Sequence, residues 1–457
     1  MPVDQTQKNW IDHIINRNRK YNNNTTRTNY ATADTDIHSS DLYAPTPSNP
    51  QFASTNSNLI IATPLFANKS VPNLNQAYQE TPLVTHSSAI LLAKLDRRID
   101  ENLYQKILRR AKGEFEDKWN KHIPSPIGKL EDFYLKRTLG QGSFGRVVHV
   151  IYKSTGKSYA IKMLKKSSIV KKQQIQQVNM EKKILSAIDF PFLNKLIYSF
   201  QDSSNLYLVL QLISGGEMYY HLRKIGRFSE SLSKFYACQV VLSLEYLHTL
   251  DLAYRDLKPE NILLDHRGYI KIVDFGFTKR VKNRTFTFCG TPDYMAPEVI
   301  SNKSGYGKEV DWWGLGVLIY EMTTGTAPFS PTGPGIGPGG GFMMLGTSSE
   351  NTMSNILKGN YKIPKYLAGS KVADIIKNLL QVNPFLRLGV LEFDARDVVH
   401  HPWFDNINWM NVYRKTILPD FRPCTGPLDL RNFKYIPNEK PIEISEVMEY
   451  PKLFTDF

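Results

Sequence analysis

The chain has 457 residues, of which 41% are hydrophobic, so it can bury one large core or two modest ones. Its net charge of +14 would suit nucleic acid or an anionic membrane, but no dense run of lysine and arginine exceeds a few residues, which favours a solvated basic surface. The three scattered cysteines, Cys238, Cys289 and Cys424, exclude a disulfide framework and indicate a reducing compartment, which predicts a cytoplasmic protein with the nucleus as a second location.

The first part of the chain divides into a polar extension and a helix. Residues 1–90 are rich in Asn, Ser, Thr and Pro and show little apolar periodicity. They are expected to be mostly disordered, because they bury too little to offset the entropy of ordering. From Ala89 to Trp119, apolar residues recur mainly at three- and four-residue steps, which predicts an amphipathic helix within residues 91–125.

The centre of the chain changes from strand-like to helical patterns. Residues 133–213 contain apolar runs joined by hairpin signals such as KSTGKS, whereas residues 214–403 are mainly helical. This order predicts an α+β fold with two lobes, a small β-rich lobe before a larger α-helical lobe. Residues 331–346 interrupt it with ten prolines and glycines in sixteen positions, which predicts a surface loop. Residues 404–457 show no regular period and predict a tail across the surface.

Three glycines, at positions 140, 142 and 145, stand in the stretch LGQGSFGRV. Their spacing alone is weak evidence, because in a dinucleotide-binding fold a helix would follow. Here the strand-like run VVHVIY follows, and Lys162 comes seventeen residues after Gly145. The glycines are therefore expected to form a hairpin over phosphate groups, with the Lys162 ammonium supplying the opposite charge. The alternative is an ordinary glycine-rich hairpin.

The stretch YRDLKPENILLD places a carboxylate, an ammonium and an amide within six residues, Asp256 to Asn261. Asp274 follows after a predicted strand, turn and strand, so the two carboxylates are expected to face one site across a hairpin. Asp274 and Asn261 offer the few oxygen ligands that Mg²⁺ takes when phosphates complete its shell. Asp256 would then accept or orient a hydroxyl proton, and Lys258 would neutralise the transferring group. A solvated charge cluster, the alternative, would not need the apolar pair that follows.

Five motifs appear together: the glycine loop, AIK at Lys162, YRDLKPEN, DFG at Asp274 and APE ending at Glu298. On these motifs the chain resembles the eukaryotic protein kinases, and DLKPEN is typical of the serine/threonine class. The stretches GGEMYYHLRKIGRFSE and DFGFTKRVKNRTFTFCGTPDYMAPE are similar to the AGC group, and within it to the cyclic-AMP-dependent catalytic subunits. The likeness runs from about Glu101 to Phe457. It implies a bilobal protein kinase domain at 133–403, with ATP and Mg²⁺ as cofactors.

The resemblance implies roles residue by residue. The catalytic group would be Asp256, Lys258, Lys162 and Thr291, with Thr291 bridging the first two. Asn261 and Asp274 would hold the metal. The nucleotide would contact the residues Leu139, Gly140, Gly142, Ser143, Phe144, Gly145, Val147, Ala160, Lys162, Glu181, Leu210, Gln211, Ile213, Glu217, Glu260 and Asn261.

Substrate choice is implied by carboxylates in the cleft. Glu217, Glu260 and Glu321 match positions that receive basic side chains before the acceptor, and Asp293 matches one that takes a more distant arginine. The expected substrates are therefore proteins with basic, arginine-directed motifs. An apolar pocket for the residue after the acceptor would consist of Phe288, Pro292 and Met295.

Phosphorylation is implied at two positions, Thr287 and Ser445. Arg255 and Lys279 would be the basic partners of Thr287, whereas Gln177 replaces the histidine that the family places on its regulatory helix.

Structural contacts are implied as well. Glu298 is expected to pair with Arg387, and Asp311 to anchor the catalytic loop. In the tail, Phe454 and Phe457 match a hydrophobic motif that docks on the small lobe, and Asn432, Phe433 and Tyr435 match a segment that reaches the nucleotide.

The leading interpretation is an active kinase controlled by a cyclic-AMP-binding regulatory subunit. A pseudokinase scaffold is the second reading, against which the intact Lys162, Asp256, Asn261 and Asp274 argue. A nucleic-acid-binding protein is the third; it needs aromatic and basic residues interleaved on one face, and that pattern is absent. No apolar run reaches the roughly 18 residues of a membrane helix. The loop 331–346 is either a neutral passenger or a modulator of regulatory-subunit affinity.

Overall fold

The computed structural model describes residues 86–121, 128–142, 145–330, 349–391, 394–436, 442, 450–455 and 457, and the side chains from residue 100 onward. The expectations for the N-terminal extension up to residue 85, for Ser143, Phe144 and Ser445, and for the loop 331–346 lie outside the described residues. The chain divides into two units, residues 1–93 and 94–457. Of the first unit, only the start of a helix is described, so the fold below is that of the second.

The described residues form eleven α-helices, nine strands and six short 3₁₀ helices. The α-helices are α1 His86–Asn120, α2 Lys166–Lys171, α3 Ile175–Ala187, α4 Met218–Ile225, α5 Glu230–Thr249, α6 Pro297–Ser301, α7 Glu309–Thr324, α8 Ser349–Lys358, α9 Lys371–Leu379, α10 Ala395–Val399 and α11 Trp409–Tyr413. The strands are β1 Phe133–Gln141, β2 Gly145–Tyr152, β3 Ser158–Lys165, β4 Leu196–Gln201, β5 Asn205–Gln211, β6 Leu252–Ala253, β7 Ile262–Leu264, β8 Ile270–Ile272 and β9 Lys279–Arg280. The 3₁₀ helices span Leu130–Asp132, Pro259–Asn261, Pro292–Tyr294, Lys365–Leu367, Pro384–Leu386 and Pro402–Phe404.

The small lobe is a five-stranded sheet in the order β1-β2-β3-β5-β4, with every neighbouring pair antiparallel. Its strands are rich in β-branched and aromatic residues, which pack well on a pleated surface. One face buries a cluster consisting of Phe133, Val148, Val150, Ile161, Met163, Phe200, Tyr207 and Val209. The helix α3 crosses the other side and brings its buried Glu181 to the sheet.

The large lobe is built around α5 and α7, whose side chains are buried around almost the whole circumference. A helix that is apolar on all sides belongs in a core, and here the other helices cover these two. Two small hairpins lie against this core: β7 pairs with β8, and β6 pairs with β9. The bilobal α+β architecture expected from the sequence is therefore confirmed.

The ends of the second unit pack back onto its lobes. In α1, Tyr104, Leu108 and Phe115 are buried, and the Tyr104 hydroxyl donates to the Leu242 carbonyl of α5 at 3.4 Å. The tail ends with Phe454 and Phe457 buried. None of the helices in the described ranges has both the length and the apolar character needed to cross a lipid bilayer.

Candidate active site

One face of the small-lobe sheet forms one wall of the candidate site. Directly opposite residues of antiparallel strands point to the same face, and so do residues two apart along a strand. Val147 lies opposite Lys162, Ala160 is two residues before Lys162, and Leu210 lies opposite Ala160. Four predicted nucleotide contacts therefore share one face, and the sheet register explains how residues 63 positions apart meet.

Gly140, Gly142 and Gly145 lie where β1 ends and β2 begins. The Gly142 amide donates to the Gly145 carbonyl at 2.8 Å, which closes the turn. A Cβ atom at Gly145 would stand 1.8 Å from the Met163 carbonyl oxygen of β3, whereas a Cβ atom at Gly140 would meet open space. Gly145 is thus required by the packing of β2 on β3, and Gly140 leaves room for a ligand.

Lys162 is held between two carboxylates. Its Nζ lies 2.6 Å from Glu181 Oε1 and 3.3 Å from Asp274 Oδ1. Burial alone would lower the pKa of Lys162, but the charges of Asp274 and Glu181 outweigh it and raise that pKa. The Lys162 charge in turn holds the pKa of Asp274 below its ordinary value. Both groups are therefore charged at neutral pH.

Asp256 accepts hydrogen bonds from three side chains of the candidate site and is 5% exposed. Lys258 Nζ donates to its two oxygens at 3.1 and 2.9 Å, and Asn261 Nδ2 donates to its Oδ2 at 2.7 Å. The Thr291 hydroxyl accepts from Lys258 Nζ at 2.8 Å and donates to Asp256 Oδ1 at 2.9 Å, which is the bridge expected from the resemblance. Burial raises the pKa of Asp256 despite the Lys258 charge, so this carboxylate is a better proton acceptor than an exposed one.

Asp311 fixes the backbone that carries Asp256. Its two oxygens accept from the amides of Tyr254 at 2.9 Å and Arg255 at 2.7 Å. Arg255 has φ 69°, an unusual value for a side chain other than glycine, and these bonds hold it there. Sequence reasoning missed His248, whose Nε2 lies 2.8 Å from Asp311 Oδ2 in the buried interior. The only signal for it was a histidine near the end of α5, six residues before Tyr254.

Asp274 and Asn261 are the two residues that the sequence predicts for a Mg²⁺ site. The hairpin of β7 and β8 brings them together, since Asn261 precedes β7 and Asp274 follows β8. Both donor contacts of Asn261 Nδ2 go to Asp256, at its carbonyl and its carboxylate, which leaves the amide oxygen as the ligating atom. Asp274 stands at φ 59°, and its side chain is 51% exposed. One ionised carboxylate and one amide oxygen fit Mg²⁺, which keeps phosphates and waters as its other ligands.

Two of the predicted substrate-binding acids lie next to each other. Glu217 precedes α4 and Glu260 lies in the 3₁₀ helix of the catalytic loop. Burial, and then the charge of Glu260, raise the pKa of Glu217 to about 7. Burial also raises the pKa of Glu260. Ionising either acid is costly, because each is partly buried and the two carboxylates repel each other. A guanidinium bound between them would offset both the burial and the repulsion, so the pair is suited to bind a cation.

Glu321, the third predicted acid, already has partners. Arg223 NH2 lies 2.7 Å from its Oε1, and the Tyr294 hydroxyl donates to its Oε2. Asp293 lies beside this group, where burial raises its pKa and Arg223 opposes the shift. Arg223 and Tyr294 were missed by sequence reasoning, because nothing local links Arg223 to a residue 98 positions away. The substrate role of Glu321 stays a prediction.

Thr287, the predicted phosphosite, is exposed on the segment before Thr291. Its hydroxyl lies 3.4 Å from that of Thr285, to which Lys279 Nζ donates at 3.0 Å. Arg255 donates to the Phe277 carbonyl and the Tyr306 hydroxyl. Among the contacts of the described residues, the two predicted basic partners thus bind neighbours of Thr287 and not its hydroxyl.

The predicted apolar pocket is only partly assembled. Pro292, the first residue of the 3₁₀ helix Pro292–Tyr294, and Met295, which follows that helix, are buried, and Phe288 is half-buried. Met295 points inward and lines a small internal cavity with Gly290 and Val299. The role of these three residues in substrate binding stays a prediction.

The tail contacts β1 and the segment that follows β5. Ile213, two residues after the end of β5, is buried, whereas Gln211, the last residue of β5, is exposed. Asn432 Nδ2 donates to the Gly215 carbonyl at 3.0 Å, and Arg137 donates to the Phe433 carbonyl at 2.9 Å. The segment expected to reach the nucleotide therefore binds both β1 and the stretch after β5 that contains Gly215.

Comparisons with known proteins agree with this geometry. The family model for the protein kinase domain matches residues 133–404. The chain is 41% identical over 355 residues to cAMP-dependent protein kinase catalytic subunit 2 of Drosophila melanogaster, covering 78% of this chain and 96% of that protein. It is 43% identical over 313 residues to cAMP-dependent protein kinase type 3 of Saccharomyces cerevisiae, covering 68% and 74%. It is 40% identical over 314 residues to the human cAMP-dependent protein kinase catalytic subunit PRKX, covering 68% and 83%.

Proposed function

Because the chain belongs to the protein kinase family, as a serine/threonine kinase similar to cAMP-dependent catalytic subunits, we propose that it phosphorylates arginine-directed protein substrates and is inhibited by a cyclic-AMP-binding regulatory subunit. The observation that carries the proposal is the buried carboxylate of Asp256, which is bonded at once to Lys258, Asn261 and Thr291. Lys258 donates to both oxygens of this carboxylate, so turning its ammonium toward the transferring phosphoryl group would free an acceptor position for the substrate hydroxyl.

Each residue of the candidate active site has a separate role in phosphoryl transfer, a reaction that depends on positioning and charge stabilisation. Asp256 would orient the substrate hydroxyl and accept its proton as the hydroxyl oxygen bonds to the γ-phosphorus of ATP. The bond from that phosphorus to the bridging oxygen of the β-phosphate breaks at the same time, and ADP leaves. Lys258 donates to the moving phosphoryl group, and Lys162, locked by Glu181, binds the remaining phosphates. Mg²⁺ held by Asp274 and Asn261 would neutralise phosphate charge.

Asp256→Asn tests the catalytic role, because it keeps the volume and removes the base. We expect the turnover of an arginine-containing peptide to fall about 10²–10⁴-fold, with the affinity for ATP nearly unchanged. Lys377→Glu, at an exposed position of α9, is the control and should retain full turnover. Wild-type turnover in the Asp256→Asn enzyme would contradict the assignment. Undetectable turnover of ATP by the wild-type chain would favour the pseudokinase reading.

Regulation is proposed from the relatives, whose names describe them as cAMP-dependent. A cyclic-AMP-binding regulatory subunit with an inhibitory arginine motif would occupy Glu217 and Glu260. We expect such a subunit to inhibit peptide phosphorylation and cyclic AMP to restore it. Persistent activity with excess regulatory subunit would contradict this part alone, because the catalytic assignment is tested separately. Three unpaired thiols support the proposed cytoplasmic and nuclear location.

A further inference from the structure

A second cleft, of about 580 Å³, lies on the large lobe between the β7–β8 turn and the tail. Its wall carries His266 and four permanent cations, Arg267, Lys415, Arg422 and Arg431. Within the described part of the chain, no carboxylate lines it. We call it the basic cleft.

The basic cleft is separated from the catalytic residues by the length of a hairpin. Asn261 and Asp274 lie at one end of the β7–β8 pair, and the turn with Arg267 lies at the other. Three residue pairs at roughly 3.3 Å per residue place the turn about 10 Å farther along the hairpin. A molecule in the basic cleft would therefore leave the catalytic loop accessible.

Two of the four cations form salt bridges with carboxylates that do not line the cleft. Arg431 Nε lies 2.8 Å from Asp429 Oδ2, and Lys415 Nζ lies 3.9 Å from Asp265 Oδ2. Arg267 has a different role, because its NH2 donates to the Lys415 carbonyl at 3.0 Å and its guanidinium stacks over Tyr269. These contacts orient Arg267 without cancelling its charge.

Arg267 and Arg422 are the cations open to a ligand. Both are exposed, and neither forms a salt bridge with any residue in the described ranges. A guanidinium binds a carboxylate through two parallel hydrogen bonds, so each is a ready site for an acidic side chain.

Apolar surface accompanies these charges. Leu418, which also lines the basic cleft, is 73% exposed, and its sequence neighbours Ile417 and Pro419 line the cleft with it. An ion such as inorganic phosphate would leave this surface in water. A ligand that covers both features has anionic groups and an apolar side chain, as a peptide segment does.

We infer that the basic cleft docks an acidic segment of a partner protein, in which aspartate or glutamate side chains bind Arg267 and Arg422 and a leucine-like side chain covers Leu418. This role goes beyond the proposed function, since the active-site acids select cations. A substrate that presents a basic motif to the active site and an acidic segment to this cleft would be bound twice. The second contact raises the effective concentration of the acceptor without any change in the catalytic group.

Fluorescence anisotropy with labelled seven-residue peptides tests the inference. An acidic peptide with two glutamates flanking a leucine is compared with its glutamine and alanine counterparts and with a phosphoserine version. We expect the acidic peptide to bind the full-length chain best. The double variant Arg267→Glu/Arg422→Glu should weaken binding at least ten-fold and should prefer a peptide with lysines in place of the glutamates. Lys377→Glu, a charge reversal elsewhere on the large lobe, should leave the affinity unchanged.

Turnover of a short arginine peptide shows whether the variants are folded, and it should be equal in all of them. Fusing the acidic segment to that peptide should lower the KM of the wild type and not that of the double variant. The inference is overturned if the glutamine peptide binds as well, if only the phosphorylated peptide binds, or if Lys377→Glu weakens binding as much as the double variant.

Discussion

Glu217 shows how burial at a single residue sets a pH dependence. Its pKa of about 7 arises first from burial and then from the charge of Glu260. The carboxylate form is the one that binds a substrate guanidinium, so protonation competes with substrate. At pH 6, one unit below this pKa, about a tenth of Glu217 is ionised, compared with about nine tenths at pH 8. We expect the KM for an arginine peptide to fall about ten-fold between pH 6 and pH 8, measured in steady-state assays.

Glu217→Gln provides the control for this pH dependence. The variant should have a high KM for the arginine peptide and a flat profile over the same range, because no carboxylate titrates. A wild-type KM that is constant from pH 6 to pH 8, or rises with pH, would show that Glu217 does not bind the substrate cation.

At the scale of elements, the large lobe is tied together by a buried ion pair. Arg387, fully buried after the 3₁₀ helix Pro384–Leu386, places NH1 and NH2 at 2.6 and 2.9 Å from the two oxygens of Glu298 in α6. It also donates to the carbonyls of Glu309, at the start of α7, and Gln381. One side chain thus links three segments of the lobe.

Removing one partner leaves a charge in the interior. We expect Arg387→Ala to lower the free energy of unfolding by about 3–5 kcal/mol, measured by urea titration with an unchanged m-value. The double variant Glu298→Gln/Arg387→Met should lose less than Arg387→Ala, since no buried charge is left over. The Arg387 guanidinium also lies over the Trp313 ring, 5.3 Å from its centroid. A double variant less stable than the single one would mean that this packing, and not charge, decides the cost.

The same elements show what could be predicted from the sequence. Asp256, Lys258 and Asn261 are close along the chain, so their spacing alone indicated a shared task, and the sheet alternation indicated the lobe that holds Lys162. Contacts between distant elements had no such signal. Arg223 on Glu321 and His248 on Asp311 depend on how helices pack, and the approach of Gly145 to the Met163 carbonyl depends on strand register. In each of these pairs, the residue types alone do not show which of many possible partners a residue contacts.

At the scale of the whole molecule, the chain end stabilises the lobe that binds nucleotide. Phe454 is 1% exposed and lies under Lys166, and its carbonyl accepts from Gln201 Nε2 of β4 at 2.8 Å. Phe457 lies under Lys182 of α3, the residue after Glu181. The tail therefore contacts α2, β4 of the small-lobe sheet, and α3, the helix that carries Glu181. Its docking should support catalysis from a distance.

Phe454→Ala should remove this support. Loss of a buried phenylalanine costs about 3–5 kcal/mol in a well-packed site, and here the cost falls on the small lobe. We expect a lower melting temperature and a higher KM for ATP, because α3 would hold Glu181 less firmly against Lys162. The matched control is Leu453→Ala, whose side chain is 41% exposed one position earlier and should leave both quantities unchanged. If Phe454→Ala lowers the melting temperature while the KM for ATP stays at the wild-type value, the tail stabilises the lobe without positioning Glu181.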